Sequence, residues 1–450
     1  MRAIFLHDTA SGELRELEPR EPGRVGMYAC GPTVYGRVHV GNARPFVVFS
    51  LLKRFLAHEG YDVIFVANVT DVNDKIYAAA QKAGIPSEEL AREMTDAYIA
   101  DTDALGLGRP DDEPRASRTI SEIIALIERL IERGHAYEVG GDVYFSVRTY
   151  PQYGHLSHRD VDQMDQGEGV EGAERKRDPL DFALWKAHKP GEDTAWDSPW
   201  GRGRPGWHIE CSAMAELRLG LGFEIHGGGS DLIFPHHENE AAQTFAAHDA
   251  PLARLWVHNG MVRLDRAKMA KSEGNIFVLH DALERYGRDA LIMYFLSGHY
   301  RQPVEFDDDR LEQAAASVRR IREAARRLGP GPSPDWSGPL KERFFDALAR
   351  DFNTPIALAV IFEWVSAANR SDAPVGDRDL REMLSVFALD NLLVPEQVEA
   401  PAEVVALRDA RERARAARDW PQADRLRDEI RAQGWEVRDG PDGPELLPAA

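Results

Sequence analysis

The chain holds two cysteines, Cys30 in CGPTVYGRVHVGN and Cys211 in GWHIECSAM, and the polar run FPHHENE follows the second. Zinc accepts thiolate, imidazole and carboxylate ligands, so Cys30, Cys211, His236 and Glu240 form a chemically suitable set of four. His236 and Glu240 stand four apart after Pro235, a favoured first helical position, so a helix here directs both side chains from one face. His237 and Glu238 are immediate neighbours that could replace them, although the residue four beyond His237 is Ala241, which cannot ligate. Taken singly, either cysteine reads as readily as a small core residue, and His236 as an ordinary helix-start residue.

A second constellation points to nucleotide chemistry. His39-Val40-Gly41-Asn42 and, far downstream, Lys268-Met269-Ala270-Lys271-Ser272 stand in the order of the two signatures of a class I aminoacyl-tRNA synthetase. The first normally reads His-Ile-Gly-His, so Asn42 occupies the place of the second histidine and cannot carry a positive charge. With the cysteines and FPHHENE added, the chain resembles the cysteinyl-tRNA synthetase family. NVTDVNDKI, KRDPLDFALWK, HGGGSDL, DFNTPIALA and RDWPQADRLRDEI extend that resemblance over almost the whole length.

The resemblance implies that Cys30, Cys211, His236 and Glu240 hold one Zn2+ per chain and that Mg2+ accompanies ATP. It implies that His39, Gly41, Asn42, Lys268, Lys271 and Ser272 bind ATP, with His39, Asn42, Lys268 and Lys271 also acting in catalysis. Thr70, Trp207 and Asp231 are the implied contacts to bound cysteine, and His226 supports them. Read from the residues alone, Thr70 caps a turn, Trp207 fills core and Asp231 caps a helix equally well. The implied activity is ATP-dependent activation of L-cysteine and its transfer to the 3′ end of tRNA(Cys). An alternative is the mycothiol-pathway type of ligase, which passes cysteine to an amino sugar.

The elements that must position these residues are legible in the apolar patterning. RVGMYACGPTV reads as a buried strand, ARPFVVFSLLKRFLAHEG as a helix and YDVIFVANVTDVND as the next strand, a βαβ unit. A Rossmann-type, doubly wound parallel sheet follows, and ligands of such sheets sit beyond the carboxyl ends of the strands, where Cys30 to Asn42 and Thr70 to Asp74 fall. From about Asp111 to Pro205 a helix, a hairpin and a polar stretch read as an insertion. GWHIECSAMA reads as a loop leading into a helix, and GFEIHGGGSDLIFPHHENEAAQTF as a strand, a glycine-rich loop and a second helix. The later sequence is mainly helical, broken by LGPGPSPDWSGP and LLVPEQVEAPAE. The expected division is an α/β catalytic domain at 1–120 and 200–265 around an insertion at 121–199. A loop and stem-contact region at 266–318, a helical bundle at 319–398 and a small anticodon-recognition domain at 399–450 then form a tRNA-binding end.

Length and charge frame these readings. At 450 residues the chain exceeds what one core supports. Its net charge of −20 disfavours a polyanionic partner, yet arginine concentrates locally in SVRRIREAARRLG and RDARERARAARDWPQADRLRDEIRAQG. The start shows no signal-peptide or presequence pattern, and no apolar run is long enough to span a bilayer, so a cytoplasmic monomer with reduced cysteines is expected.

Overall fold

The computed structural model describes residues 2–163, 173–264, 267–268, 277–394, 400–440 and 443–448, in two compact units, 1–393 and 394–450. The first unit opens with a hairpin, β1 (Phe5–Asp8) and β2 (Glu13–Glu16). The chain then forms β3 (Arg24–Ala29), α1 (Val40–His58), β4 (Asp62–Ala67), α2 (Asp74–Ala83) and α3 (Ser87–Asp103). An insertion follows: α4 (Ile120–Glu132) and an antiparallel sheet of β5 (Ala136–Val139), β6 (Asp142–Phe145), β7 (Phe182–Ala187) and β8 (Gly203–Pro205). The chain returns through α5 (Trp207–Leu219), β9 (Phe223–Gly229), α6 (Glu238–His248) and β10 (Ala253–Asn259).

The main sheet has the order β10-β9-β3-β4, every pair parallel. Strands of such a sheet are covered on both faces and read as continuous apolar runs. In β3, Val25, Met27 and Ala29 enter the large core built on α1, while Tyr28 joins Met214, Phe223 and Trp256 on the opposite face. Period-two alternation thus feeds two cores from one strand. After β3 the chain moves to β4 on one side, whereas β9 flanks β3 on the other. That reversal of strand order makes the crevice beyond β3 and β9, where Cys30 and Asp231 follow their strands.

Two local expectations are corrected. The glycines of HGGGSDL belong to β9 rather than to a loop. A methyl group at Gly227 would sit 2.0 Å from Cζ of Phe49, so only a bare backbone lets this strand pass α1. Pro235 is not the first residue of the following helix. It lies in a five-residue turn, Ile233–His237, with Phe234 extended and the Phe234–Pro235 bond cis, and α6 begins at Glu238.

The remainder of this unit is mainly helical, with helices at Leu279–Tyr286, Arg288–Ser297, Asp308–Ala325, Ser337–Ala349, Thr354–Asn369 and Arg378–Val386. The second unit pairs helices Ala402–Ala416 and Trp420–Ala432 with an antiparallel hairpin, Trp435–Gly440 and Gly443–Pro448, around Val404, Ile430 and Trp435. Among the described residues no helix is long and apolar enough to cross a membrane.

Candidate active site and metal centre

Four elements bring the cysteines and FPHHENE together. Cys30 follows β3, Cys211 sits inside α5, His236 lies in the turn before α6 and Glu240 lies in its first turn. One ligand atom from each lies within 4.8 Å of the others, and all four residues are buried. His236 Nε2 is 3.1 Å and Cys30 Sγ 3.4 Å from Oε1 of Glu240. Burial pushes the Cys30 thiol well above its ordinary range and pulls the His236 imidazole down to about 3. The imidazole is therefore neutral and ready to ligate, while the two buried thiols would ionise beside the carboxylate only with a bound cation to balance the charge. Buried on these terms, the cluster fits a metal site.

A second quartet overlaps the first: Cys30, His226, His237 and Glu240 also offer ligand atoms within 4.8 Å of one another. The helical register does not exclude His237, because it reaches Glu240 as an i,i+3 neighbour, with Nε2 to Oε1 at 3.9 Å. The two quartets share Cys30 and Glu240 and differ in the thiol of Cys211 and the imidazole of His236 against the two imidazoles of His226 and His237. Supporting groups surround the first. His208 Nδ1 meets His236 Nδ1 at 2.8 Å, the Trp207 ring stacks on His236 with centroids 4.3 Å apart, and His226 Nε2 meets Oε2 of Glu240 at 2.9 Å. Such outer contacts fix which nitrogen of a ligating imidazole faces an ion.

In front of the cluster opens a cavity of about 570 Å3. Cys30 and Trp207 line it beside Asp231, as do His39, Gly41 and Asn42. The first signature and the proposed cysteine contacts Trp207 and Asp231 thus share one space. Thr70 and His226 do not reach it: both are buried, Thr70 accepting a hydrogen bond from Asn68 Nδ2 at 3.2 Å and His226 meeting Glu240.

The first signature forms the start of α1, with His39 as N-cap. The Asn42 N–H donates to Nδ1 of His39 at 3.2 Å and the His39 N–H donates to Oδ1 of Asn42 at 3.4 Å, a capping box. Because Nδ1 accepts, the ring proton resides on Nε2. Gly41 has a local reason as well: a methyl group there would lie 2.8 Å from Nδ1 of His39. Val278 bridges to His39 on the far side of the second signature. Lys268 is described in its backbone only, paired with Arg263, while Lys271 and Ser272 lie outside the described residues.

The sequence reading missed several neighbours. Tyr35, Arg37, Lys75, Asn259, Gly260 and Met261 also line the cavity. His258 bridges Thr9 Oγ1 and His237 Nδ1, each at 2.7 Å. Lys75, in NVTDVNDKI, and Asn259 to Met261, at the end of an apolar run, occupy the carboxyl side of β4 and β10, where the sheet topology alone could have directed attention.

The chain matches three family models: the tRNA synthetases class I (C) catalytic domain over residues 16–316, the DALR domain over 343–389 and the cysteinyl-tRNA ligase anticodon binding domain over 398–444. A cysteine–tRNA ligase of Rubrobacter xylanophilus is 45% identical over 99% of both chains, and one of Shewanella amazonensis is 45% identical over 98% of both. The fold is similar to that of the methionyl-tRNA synthetase of Mycobacterium tuberculosis in complex with methionyl-adenylate, with a TM-score of 0.60 at 17% identity over 83% of this chain and 92% of that one. A LeuRS of Agrobacterium radiobacter gives 0.60 at 12% identity over 84% and 85%. The parallel sheet with its inserted domain, the helical end and full-length identity near one half agree, and the chain belongs to the cysteine–tRNA ligase family of class I aminoacyl-tRNA synthetases.

Proposed function

We propose that this chain joins L-cysteine to ATP as cysteinyl-adenylate and passes the cysteinyl group to the terminal ribose of tRNA(Cys). A carboxylate oxygen of cysteine bonds to the α-phosphorus as the bond to pyrophosphate breaks, and a ribose hydroxyl then takes the acyl group as AMP leaves. The single observation that carries this reading is one cavity lined both by Cys30, a member of the buried Cys30–Cys211–His236–Glu240 cluster, and by His39, Gly41 and Asn42. The substrate carboxylate is already ionised, so activation needs positioning and charge stabilisation rather than a general base.

Of the two overlapping quartets, the one with Cys211 is the better zinc site, because it offers two thiolates where the other offers one. Zinc, when bound, lowers the pKa of a thiol near it and prefers sulfur to a hard alkoxide oxygen. Trp207 and Asp231 stand beside it to hold the cysteine, with Thr70 and His226 supporting from behind. His39, its proton fixed on Nε2, points a donor at the α-phosphate, where charge builds. Gly41, Asn42, Lys268, Lys271 and Ser272 complete the ATP site, with Mg2+ on the phosphates. The acceptor and anticodon ends of the tRNA lie on the later helices and the last domain, within the division 1–120, 121–199, 200–265, 266–318, 319–398 and 399–450. We place the protein in the cytoplasm as a monomer.

The test is amino-acid-dependent exchange of labelled pyrophosphate into ATP. Cysteine should support exchange and serine should fall short by about 10⁴ or more, since a site built for one polar interaction rejects its isostere to that degree. Comparable exchange with serine, or exchange that survives removal of the metal, would contradict the reading.

A further inference from the structure

Arg44 is the most unusual cation among the described residues. It sits in the second turn of α1, five residues after His39, with no exposed surface. A guanidinium at that depth normally meets a carboxylate. This one meets four backbone carbonyls instead. Nη1 donates to the carbonyl oxygens of Gly260 at 2.6 Å and Met261 at 3.1 Å, and Nη2 to those of His299 at 3.2 Å and Gln302 at 2.7 Å.

The two acceptor pairs lie on separate stretches of chain that run side by side. The Gly260 N–H donates to the Tyr300 carbonyl at 2.7 Å, the Val304 N–H to the Met261 carbonyl at 3.0 Å, and Val262 pairs with Val304 in parallel. Gly260 and Met261 line the cavity, as do His39, Gly41 and Asn42. Arg44 ties the helix that begins at His39 to the carbonyls of Gly260 and Met261. A hydrophobic residue could fill that volume without the cost of burying a charge, but it could not hold four carbonyls by hydrogen bonds. Burial lowers the guanidinium only to about 10, so it keeps its charge, and these bonds their charge-assisted strength, at neutral pH.

We infer that Arg44 is a positioning residue, which sets the separation between the His39 turn and the Gly260–Met261 stretch and so the fit of the nucleotide between them. The inference rests on the proposed use of this cavity for ATP. Misplacement of reacting groups by about 1 Å can cost on the order of 100-fold in rate, while cysteine, held by the cluster with Trp207 and Asp231, to none of which Arg44 bonds, is not affected.

The experiment uses the full-length, metal-loaded protein as Arg44→Met and Arg44→Lys. Cysteine-dependent pyrophosphate exchange gives kcat and KM for ATP, and metal content and equilibrium cysteine binding are measured alongside. In Arg44→Met, kcat is expected to fall at least about tenfold with a rise in KM for ATP, at unchanged metal content and cysteine affinity. Arg44→Lys, which keeps a charge but has no planar fork, should fall between. Should the methionine variant fail to fold, the lysine variant decides by the same criteria. ATP parameters within twofold of the parent would overturn the inference, as would a parallel loss of metal and cysteine affinity, the mark of general damage. Absence of cysteine-dependent exchange in the parent would instead overturn the functional reading itself.

Discussion

At the scale of the residue, the site is governed by what burial does to ionisable groups. Cys30 and Cys211 are both buried, and a thiol there resists ionisation until a cation joins it. Substituting Cys211→Ser keeps the volume and removes the soft donor. Metal content should drop from about one per chain to near zero, and KM for cysteine should rise on the order of tenfold or more. Full metal content with parental cysteine binding would eliminate Cys211 from the ligand set and favour the His226–His237 quartet. The cluster was readable beforehand, because cysteine is rare in this chain and histidine and glutamate stand at a fixed spacing. The role of Asn42 was not. Seen as a lost histidine in the sequence, it closes a capping box that sets the His39 ring. Only the backbone geometry of the helix start shows that.

At the scale of the element, buried apolar runs marked β3 and β4, and the helical apolar pattern after His39 marked α1. Glycine misled, because GGG after a strand signals a loop unless a neighbour requires a bare backbone. Phe49 is that neighbour, and it comes from a helix nearly two hundred positions earlier, about which the local sequence is silent. Gly227→Ala should therefore destabilise the protein by about 1–3 kcal/mol, and Phe49→Leu in the same chain should restore part of it. Chemical denaturation followed by intrinsic fluorescence provides the readout, and an unchanged midpoint in the single variant would refute the packing argument. The Pro235 misplacement has a similar origin, since a helix-start signal and a turn before a helix look alike in sequence. In the second unit, Asp439 ties the hairpin to the first helix of that unit, Ala402–Ala416, through Arg411, at 2.9 and 3.0 Å, and Arg415. Hydrogen bonds from Arg411 lead the causes that hold its carboxyl down at about 2. The folded value lies below the unfolded one, near 3.9, so this contribution is present above about pH 4 and is lost as pH falls through about 2. Nearly half of the side chain is exposed, which limits the gain to less than about 1 kcal/mol. Hydrogen exchange of the Trp435–Gly440 amides in Asp439→Asn should show weaker protection than the parent at pH 7, with the gap narrowing below pH 4. A gap that persists undiminished would assign the hairpin's stability to other contacts.

At the scale of the whole molecule, a parallel sheet carries the chemistry at its strand ends, an insertion interrupts it, and arginine-bearing helices follow. Overall acidity conceals the last feature, because charge is informative only where it is local. The C-terminal unit matches the cysteinyl-tRNA ligase anticodon binding domain over 398–444, a module that reads a nucleic-acid acceptor. The most direct test therefore concerns the acceptor rather than the adenylate, which a cysteine:amino-sugar ligase would form as well. Labelled cysteine and ATP are incubated with the full-length protein and a tRNA(Cys) transcript, beside a parallel reaction containing the amino sugar. The account expects label on the tRNA and none on the sugar; label on the sugar with uncharged tRNA would contradict it.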